Sequence, residues 1–229
     1  MGFIVGIDGT AGSGKGTVTK KIANKLKLVN IDTGITYRCV ALAALEAGAI
    51  VDGNINKEKV INLLENIKIS IKNTPNGDIA YLNGKDVSKK IREKEVSMVV
   101  SPVSSIKEVR YKMVELQRHM AEGKDIIMEG RDICTYVFPN ADVKIYLDAT
   151  EEVRAQRRLL EMQEKGVKMT YEEVLENIHK RDNNDKIKEI GALKKAPDSI
   201  VIDTSNLTID EVEEKIIKII NEKREIKWE

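Results

Sequence analysis

Residues 3–8 (FIVGID) are almost wholly apolar and rich in β-branched side chains, and they break into a glycine-bearing stretch at 9–16. This pattern predicts a buried parallel strand that feeds a loop. Val18, Ile22, Ala23 and Leu26 then fall on one face of a helix expected over 17–27. Residues 28–31 read as a second strand ending at Asp32, which completes a βαβ unit. Residues 34–47 predict a helix whose run CVALAALEA suits burial on nearly every side, and 57–66 predict another. At Ile67 the period changes: Ile67, Ile69 and Ile71 alternate with polar residues, followed by the turn cluster NTPNGD at 73–78. Residues 79–82 are again strand-like, and Asn83-Gly84 is a second turn signal, so a two- or three-stranded antiparallel insert is expected over about 67–90.

Helical spacing returns with Ile106, Val109, Met113, Leu116 and Met120, a stripe read as core packing. Strands follow at 125–128, ending in Glu129-Gly130-Arg131-Asp132, at 143–147, ending in Asp148, and at 200–202. Helices are expected over 151–165 and 171–180, the second opened by a capping box from Thr170 to Glu173. A like box, Thr208 to Glu211, opens a last helix that buries Val212, Ile216, Ile219 and Ile220, and the charged tail after Asn221 is expected to fray. Five parallel-type strands separated by helices give a three-layer α/β sandwich in one domain over 1–229, with its core at about 1–66 and 91–229.

Composition narrows the class. The 229 residues are 41% hydrophobic and 33% charged, enough to build a sizeable core, and the 4% of aromatics leaves that core to aliphatics. Lysines and arginines number 38 against 37 acids, so charge points to neither nucleic acid nor membrane. Cys39 and Cys134 form no CxxC pair and read as free thiols in a reducing compartment. The N-terminal residues lack the pattern of a signal peptide, and no run reaches the about 18 apolar residues of a membrane span. A cytoplasmic location is therefore expected.

The chemistry begins at the first loop. Gly9-Thr10-Ala11-Gly12-Ser13-Gly14-Lys15 matches the phosphate-loop pattern G-x-x-x-x-G-K, in the required setting of strand before and helix after. Glycines let successive N–H groups turn inward on phosphate oxygens, the following helix adds its positive end, and Lys15 reaches the β and γ phosphates. Gly16 stands where Ser or Thr is usual, and the hydroxyl falls on Thr17. G-K-G-T is the form of nucleoside monophosphate kinases, and no N-K-x-D guanine-reading motif follows. Transfer between two anions also calls for arginines, and Arg38 and Arg131 suit a bidentate clamp on an acceptor phosphate.

The segment Asp32-Thr33-Gly34-Ile35-Thr36-Tyr37-Arg38 resembles the D-[ST]-G-x-x-Y-R of cytidylate kinases. With the phosphate loop, the hairpin insert, E-G-R-D with V-F-P after it, the R-x-x-R-R helix and the R-D-x-x-D segment, the chain resembles the bacterial-type cytidylate kinase family over nearly its whole length. The resemblance implies a phosphate-loop kinase fold with an acceptor-side insert and a helical lid at about 154–188. It implies transfer from ATP, with Mg²⁺, to CMP and dCMP. ATP is expected on Gly9 to Thr17, with Arg154 stacked on adenine and Arg158 on the phosphates. CMP is expected on Thr33, Arg38, Ser101, Arg110, Arg131, Asp132, Arg181 and Asp185. Asp132 would accept from the cytosine amino group and Arg110 donate to N3 and O2, a pairing that uracil spoils. Lys15, Arg131, Arg158 and Arg181 would carry the transferring charge. Glu129 and Thr17 would meet Mg²⁺ through water at most. Three departures stand out: Lys188 in place of an arginine, Cys134 in place of glycine, and Ile35-Thr36. Left open are another acceptor such as UMP or AMP, and a non-enzymatic ATP-binding switch. A monomer is expected, with nucleotides as its partners.

Overall fold

The computed structural model of the chain describes residues 2–74, 77–164 and 166–228. In chain order its elements are β1 (Ile4–Gly9), α1 (Lys15–Leu26), β2 (Val29–Asp32), α2 (Thr33–Glu46), β3 (Ile50–Val51), β4 (Asn54–Ile55) and α3 (Lys57–Leu63). Next come β5 (Ile69–Thr74), β6 (Gly77–Leu82), β7 (Lys85–Asp86), α4 (Lys94–Val103), α5 (Lys107–Ala121) and β8 (Ile126–Gly130). Then follow β9 (Val143–Asp148), α6 (Glu151–Glu164), α7 (Tyr171–Lys186), β10 (Ile200–Asp203) and α8 (Ile209–Trp228). A 3-10 turn at Lys90–Arg92 and a π-helical turn at Ile133–Val137 complete the list. The described residues fall into two compact units, Met1–Ile31 with Ala121–Glu229, and Asp32–Met120.

The first unit carries the sheet, in the order β10-β9-β1-β8-β2. β1 pairs in parallel with β8 and β9, and β10 in parallel with β9. This is the three-layer α/β class expected from the sequence. Val5, Ile7, Ile145 and Leu147 from the strands pack with Val18 and Ile22 of α1 and with Val212, Ile216 and Ile220 of α8. Glu213 of α8 is buried and ion-paired with Lys25 at 2.8 Å and Lys21 at 3.3 Å, which ties α8 to α1. The tail expected to fray is helical through Trp228. The reason is Arg224, whose guanidinium lies 5.0 Å from the Phe3 ring centre and 3.4 Å from Asp125. Helix α7 likewise outruns its expected end by two turns, because Asp182 and Asp185 are buried rather than solvated. The last residue of the expected 151–165 helix, Lys165, lies outside the described residues.

The second unit has its own apolar cluster, built from Ile35, Val40 and Leu42 of α2, Val60, Ile69, Leu82, Ile91, Val100, and Val109 and Met113 of α5. The insert is a three-stranded antiparallel sheet in the order β5-β6-β7, with Ile69 opposite Leu82 and Ile71 opposite Ala80. Of the NTPNGD turn, Pro75 and Asn76 lie outside the described residues, while Asn73 pairs with Asp78 across it. Asn83 and Gly84 both have positive φ, 50° and 79°, as a tight hairpin turn of this hand requires. Helix α4 was not expected. Pro102 in its last turn is a helix-breaking signal, but Val96, Val100 and Val103 bury one face and outweigh it.

Candidate active site

In the first unit, β1 delivers the chain into the phosphate loop. Gly9 has φ 151°, and a Cβ there would lie 1.9 Å from the Leu147 carbonyl oxygen, so only glycine fits. The loop closes on Gly14, in the left-handed region at φ 89°, and α1 starts at Lys15. Ser13 donates its hydroxyl to the Thr10 carbonyl at 2.9 Å, and Thr10 donates its own to Asp148 at 2.9 Å. Lys15 is folded over the loop: its Nζ donates to the carbonyls of Gly9 at 2.8 Å and Thr10 at 2.6 Å, and to Ser13 Oγ at 3.2 Å. Burial first, then the fields of Arg131 and Arg181 against those of Glu129 and Asp8, push its ammonium down to about 7.

Gly16 has a reason in space. A Cβ there would lie 3.0 Å from Glu129 Oε1, so any side chain would require this buried carboxylate to give by a few tenths of an ångström. The hydroxyl usual at this point of the pattern is thereby displaced to Thr17, which is exposed.

The loop is braced from behind by residues that the motif does not contain. Arg154 is only 3% exposed. Its Nε donates to the Ala149 carbonyl at 3.0 Å, and its Nη1 donates to the Ala11 carbonyl at 3.0 Å and pairs with Asp182 at 2.6 Å. Asp182 in turn accepts from the Ala11 N–H at 3.4 Å. The guanidinium offered by the sequence to an adenine face is thus buried beneath the loop. Arg157 donates to the hydroxyl and carbonyl of Thr204, and the one proton of the Thr204 hydroxyl is shared between the carbonyls of Asp148 at 3.1 Å and Ser13 at 3.3 Å. Arg158 pairs with Glu161 at 2.6 Å on a half-exposed face of α6.

Arg131, Asp185 and Lys188 come together. Arg131 Nε donates to Asp185 Oδ2 at 2.8 Å, and Lys188 Nζ to Oδ1 at 2.8 Å. Burial opposes ionisation of Asp185, but Arg131, Lys188 and Arg181 overcome it and hold the carboxyl well below the carboxylate range. Burial likewise works against the Arg131 charge, and Asp185, Glu129 and Asp182 more than restore it. Lys188 is therefore seated on the carboxylate by a single bond from a point charge, without the fork of an arginine. Arg181 is exposed and Asp132 buried.

In the second unit, Asp32 caps α2 by accepting from the Gly34 N–H at 2.9 Å, and Thr33 and Thr36 follow, both buried. Thr36 donates to the Thr33 carbonyl at 2.8 Å and accepts from Gln117 at 3.1 Å, so its buried hydroxyl is satisfied within the helix pair. Ile35 joins the apolar cluster. These contacts account for the Ile35-Thr36 departure. Arg38 donates to the Ile91 carbonyl at 3.1 Å and to Ser97 at 2.9 Å. Arg110 is 3% exposed, with its guanidinium 5.4 Å from the Tyr37 ring centre. Ser101 Oγ is buried with no hydrogen-bond partner among the described residues, a polar atom whose satisfaction must come from elsewhere.

Sequence reading missed Asp8, Asp148, Asp182 and Thr204 as supports of the loop. Only Asp8, Asp148 and Asp182 had any signal, the first two as acids ending apolar strands and the third beside Arg181. The thiols are inert: burial pushes Cys39 up to about 12 and raises Cys134 further, with Asp8 adding to the second.

A family model described as cytidylate kinase matches residues 5–222. A cytidylate kinase of Caldicellulosiruptor saccharolyticus is 46% identical over 215 residues, 94% of either chain. A cytidylate kinase of Fusobacterium nucleatum is 48% identical over 210 residues, covering 92% of this chain and 93% of that one. Among solved structures, an uncharacterized protein from Eubacterium ventriosum shares the fold, with a TM-score of 0.53 at 14% identity over 96% of this chain and 98% of that one.

Proposed function

Because this chain belongs to the cytidylate kinase family, we propose that it transfers the γ-phosphoryl group of ATP to the 5′-phosphate of CMP and dCMP, releasing ADP and CDP or dCDP. One observation carries the reading beyond the family: the Lys15 ammonium, disfavoured first by burial, also feels the like charges of Arg131 and Arg181. Such crowding of like charge is unfavourable until polyanions enter it, and two phosphorylated substrates do so. No proton must be removed from the acceptor, whose phosphate is already an anion. Lys15, Arg131, Arg158 and Arg181 would neutralise the charge shared among the phosphates, and this positioning is the catalysis.

For the acceptor we assign Thr33, Arg38, Ser101, Arg110, Arg131, Asp132, Arg181 and Asp185. The buried Ser101 hydroxyl supports its role. Arg154 is reassigned from the adenine face to holding the phosphate loop, in keeping with its burial. Among the described residues no group of three or more His, Cys, Asp or Glu is placed to hold a metal ion. Mg²⁺ would come in on the ATP phosphates, with Glu129 and Thr17 reaching it through water. Among the described residues no helix is long and apolar enough to cross a membrane. We place the protein in the cytoplasm as a monomer, with small nucleotides as its partners.

The test is ADP release from Mg-ATP with CMP, dCMP, UMP, AMP or GMP, against a control without acceptor. Stimulation by CMP and dCMP is expected. Stimulation mainly by UMP or AMP would keep the kinase and remove the base assignment. Release indifferent to every acceptor would replace the kinase by an ATPase or switch.

ATP binding should also take up a proton. With Lys15 pushed down to about 7, most of its population is neutral at about pH 8. A triphosphate raises that value again, so affinity falls as pH rises through and above 7. Calorimetry at about pH 8 in buffers of different ionisation enthalpy should give different heats. Equal heats would mean that Lys15 is fully charged before ATP arrives.

A further inference from the structure

Asp8 ends β1 directly before the phosphate loop and is 1% exposed. Its two oxygens accept from two consecutive backbone N–H groups, Oδ1 from Ile133 at 2.7 Å and Oδ2 from Cys134 at 2.7 Å. These residues open the π-helical turn Ile133–Val137, which follows Arg131 and Asp132 without a gap. At its far side, the N–H groups of Tyr136 and Val137 both donate to the Asp132 carbonyl, at 2.9 and 3.0 Å. The wide turn is therefore held by a carboxylate at its start and by Asp132 at its end. Such single π turns concentrate at functional sites.

Beyond favouring the Lys15 charge, this carboxylate has no assigned part in phosphoryl transfer. A negative charge beside a phosphate loop opposes ATP, and burial pushes Asp8 up to about 6, against the two backbone hydrogen bonds that lower it. The groups facing it are Asp132 and the Cys134 thiol from the turn, Lys15 from α1, and Tyr146 across the strand pairing with β9. Glycine at 6 leaves the turn room to approach, since a Cβ there would lie 2.8 Å from Cys134 Sγ. Cys134 thus stands in direct packing with β1, and its departure from the family's glycine fills the space beneath the turn.

We propose that Asp8 is a positioning residue of the acceptor site: by gripping Ile133 and Cys134 it fixes the turn from which Arg131 and Asp132 are presented to CMP. The inference rests on the acceptor reading of those two residues. It makes the strand end serve both substrates: its next residue starts the ATP loop, and its side chain sets the acceptor turn.

The test is Asp8→Asn, which keeps shape but turns an amide N–H toward a backbone N–H. KM for CMP should rise about tenfold to a hundredfold, the size of one lost and one reversed buried contact, while KM for ATP changes only a few fold. A readout on the unmodified protein does not depend on the variant folding. The amide resonances of Ile133 and Cys134 should shift together as pH is lowered from about 7 to about 5, the span over which Asp8 gains a proton. Affinity for cytidine, which carries no titrating phosphate, should fall with them. If CMP does not stimulate the unmodified protein, the acceptor reading fails and this inference with it. If CMP does stimulate, an unchanged KM for CMP in Asp8→Asn, an equal rise for ATP, or amide shifts uncoupled from cytidine affinity overturns the inference alone.

Discussion

Lys15→Met is expected to lower kcat for CMP phosphorylation by about a hundredfold to a thousandfold while leaving a folded protein, the scale of removing one preorganised charge from a transferring group. Met matches the length of the lysine stem, so the packing around α1 survives. What goes is an ammonium that is held by the Gly9 and Thr10 carbonyls and by Ser13 before any substrate arrives. Its location among loop carbonyls means that it needs only to swing, not to be recruited. Folding itself should not suffer: the buried ammonium is disfavoured by desolvation and by Arg131, so its removal relieves as much as it costs. Steady-state kinetics with a thermal melt on the same sample checks both halves. A variant that keeps activity within about tenfold would take Lys15 out of the transferring charge set.

The largest effect on stability is expected from Asp182→Ala, at about 3–5 kcal/mol, because it leaves the buried Arg154 guanidinium with only the more distant and part-exposed Glu151 carboxylate, at 3.8 Å. The side chains of this pair are 3% and 2% exposed. In a chain of this size such a loss lowers Tm by about 10 °C. The pair also holds both polar groups of Ala11, its carbonyl through Arg154 and its N–H through Asp182. Denaturant unfolding is the measurement. Arg154→Met combined with Asp182→Leu should recover much of the stability, since the cost lies in the stranded charge, yet leave activity impaired because Ala11 is no longer held. A single variant that loses less than about 1 kcal/mol would mean that water reaches Arg154 once the carboxylate is gone.

These two cases show what the sequence made legible. Lys15 belongs to a contiguous pattern whose spacing follows from how a backbone wraps a phosphate, so a string of residues was enough to find it. The same holds for the apolar strands, whose burial repeats with a local period, and for the capping boxes, both of which form as read. Asp182 and Asp8 act over 171 and 125 residues of chain, and no local pattern reports a partner that far away. Arg154 was visible as an arginine on a helix, but the direction in which it points depends on Asp182. Helix α4 was hidden by Pro102, and the end of α8 by charges whose anchor, Arg224 against Phe3 and Asp125, is tertiary. The seat of Lys188 on Asp185, three residues away but set by the turn that ends α7, needed the folded chain.

The apolar clusters of the two units have no residue in common: one draws on residues from Ile35 to Met113, the other on Phe3 to Leu28 and Ile127 to Ile220. Substitutions in separate interiors add in free energy rather than compound. Over generations, a lineage can therefore accumulate changes in one interior without having to await matching changes in the other. Recombination with breakpoints at Ile31 and Met120 would accordingly exchange whole interiors instead of halves.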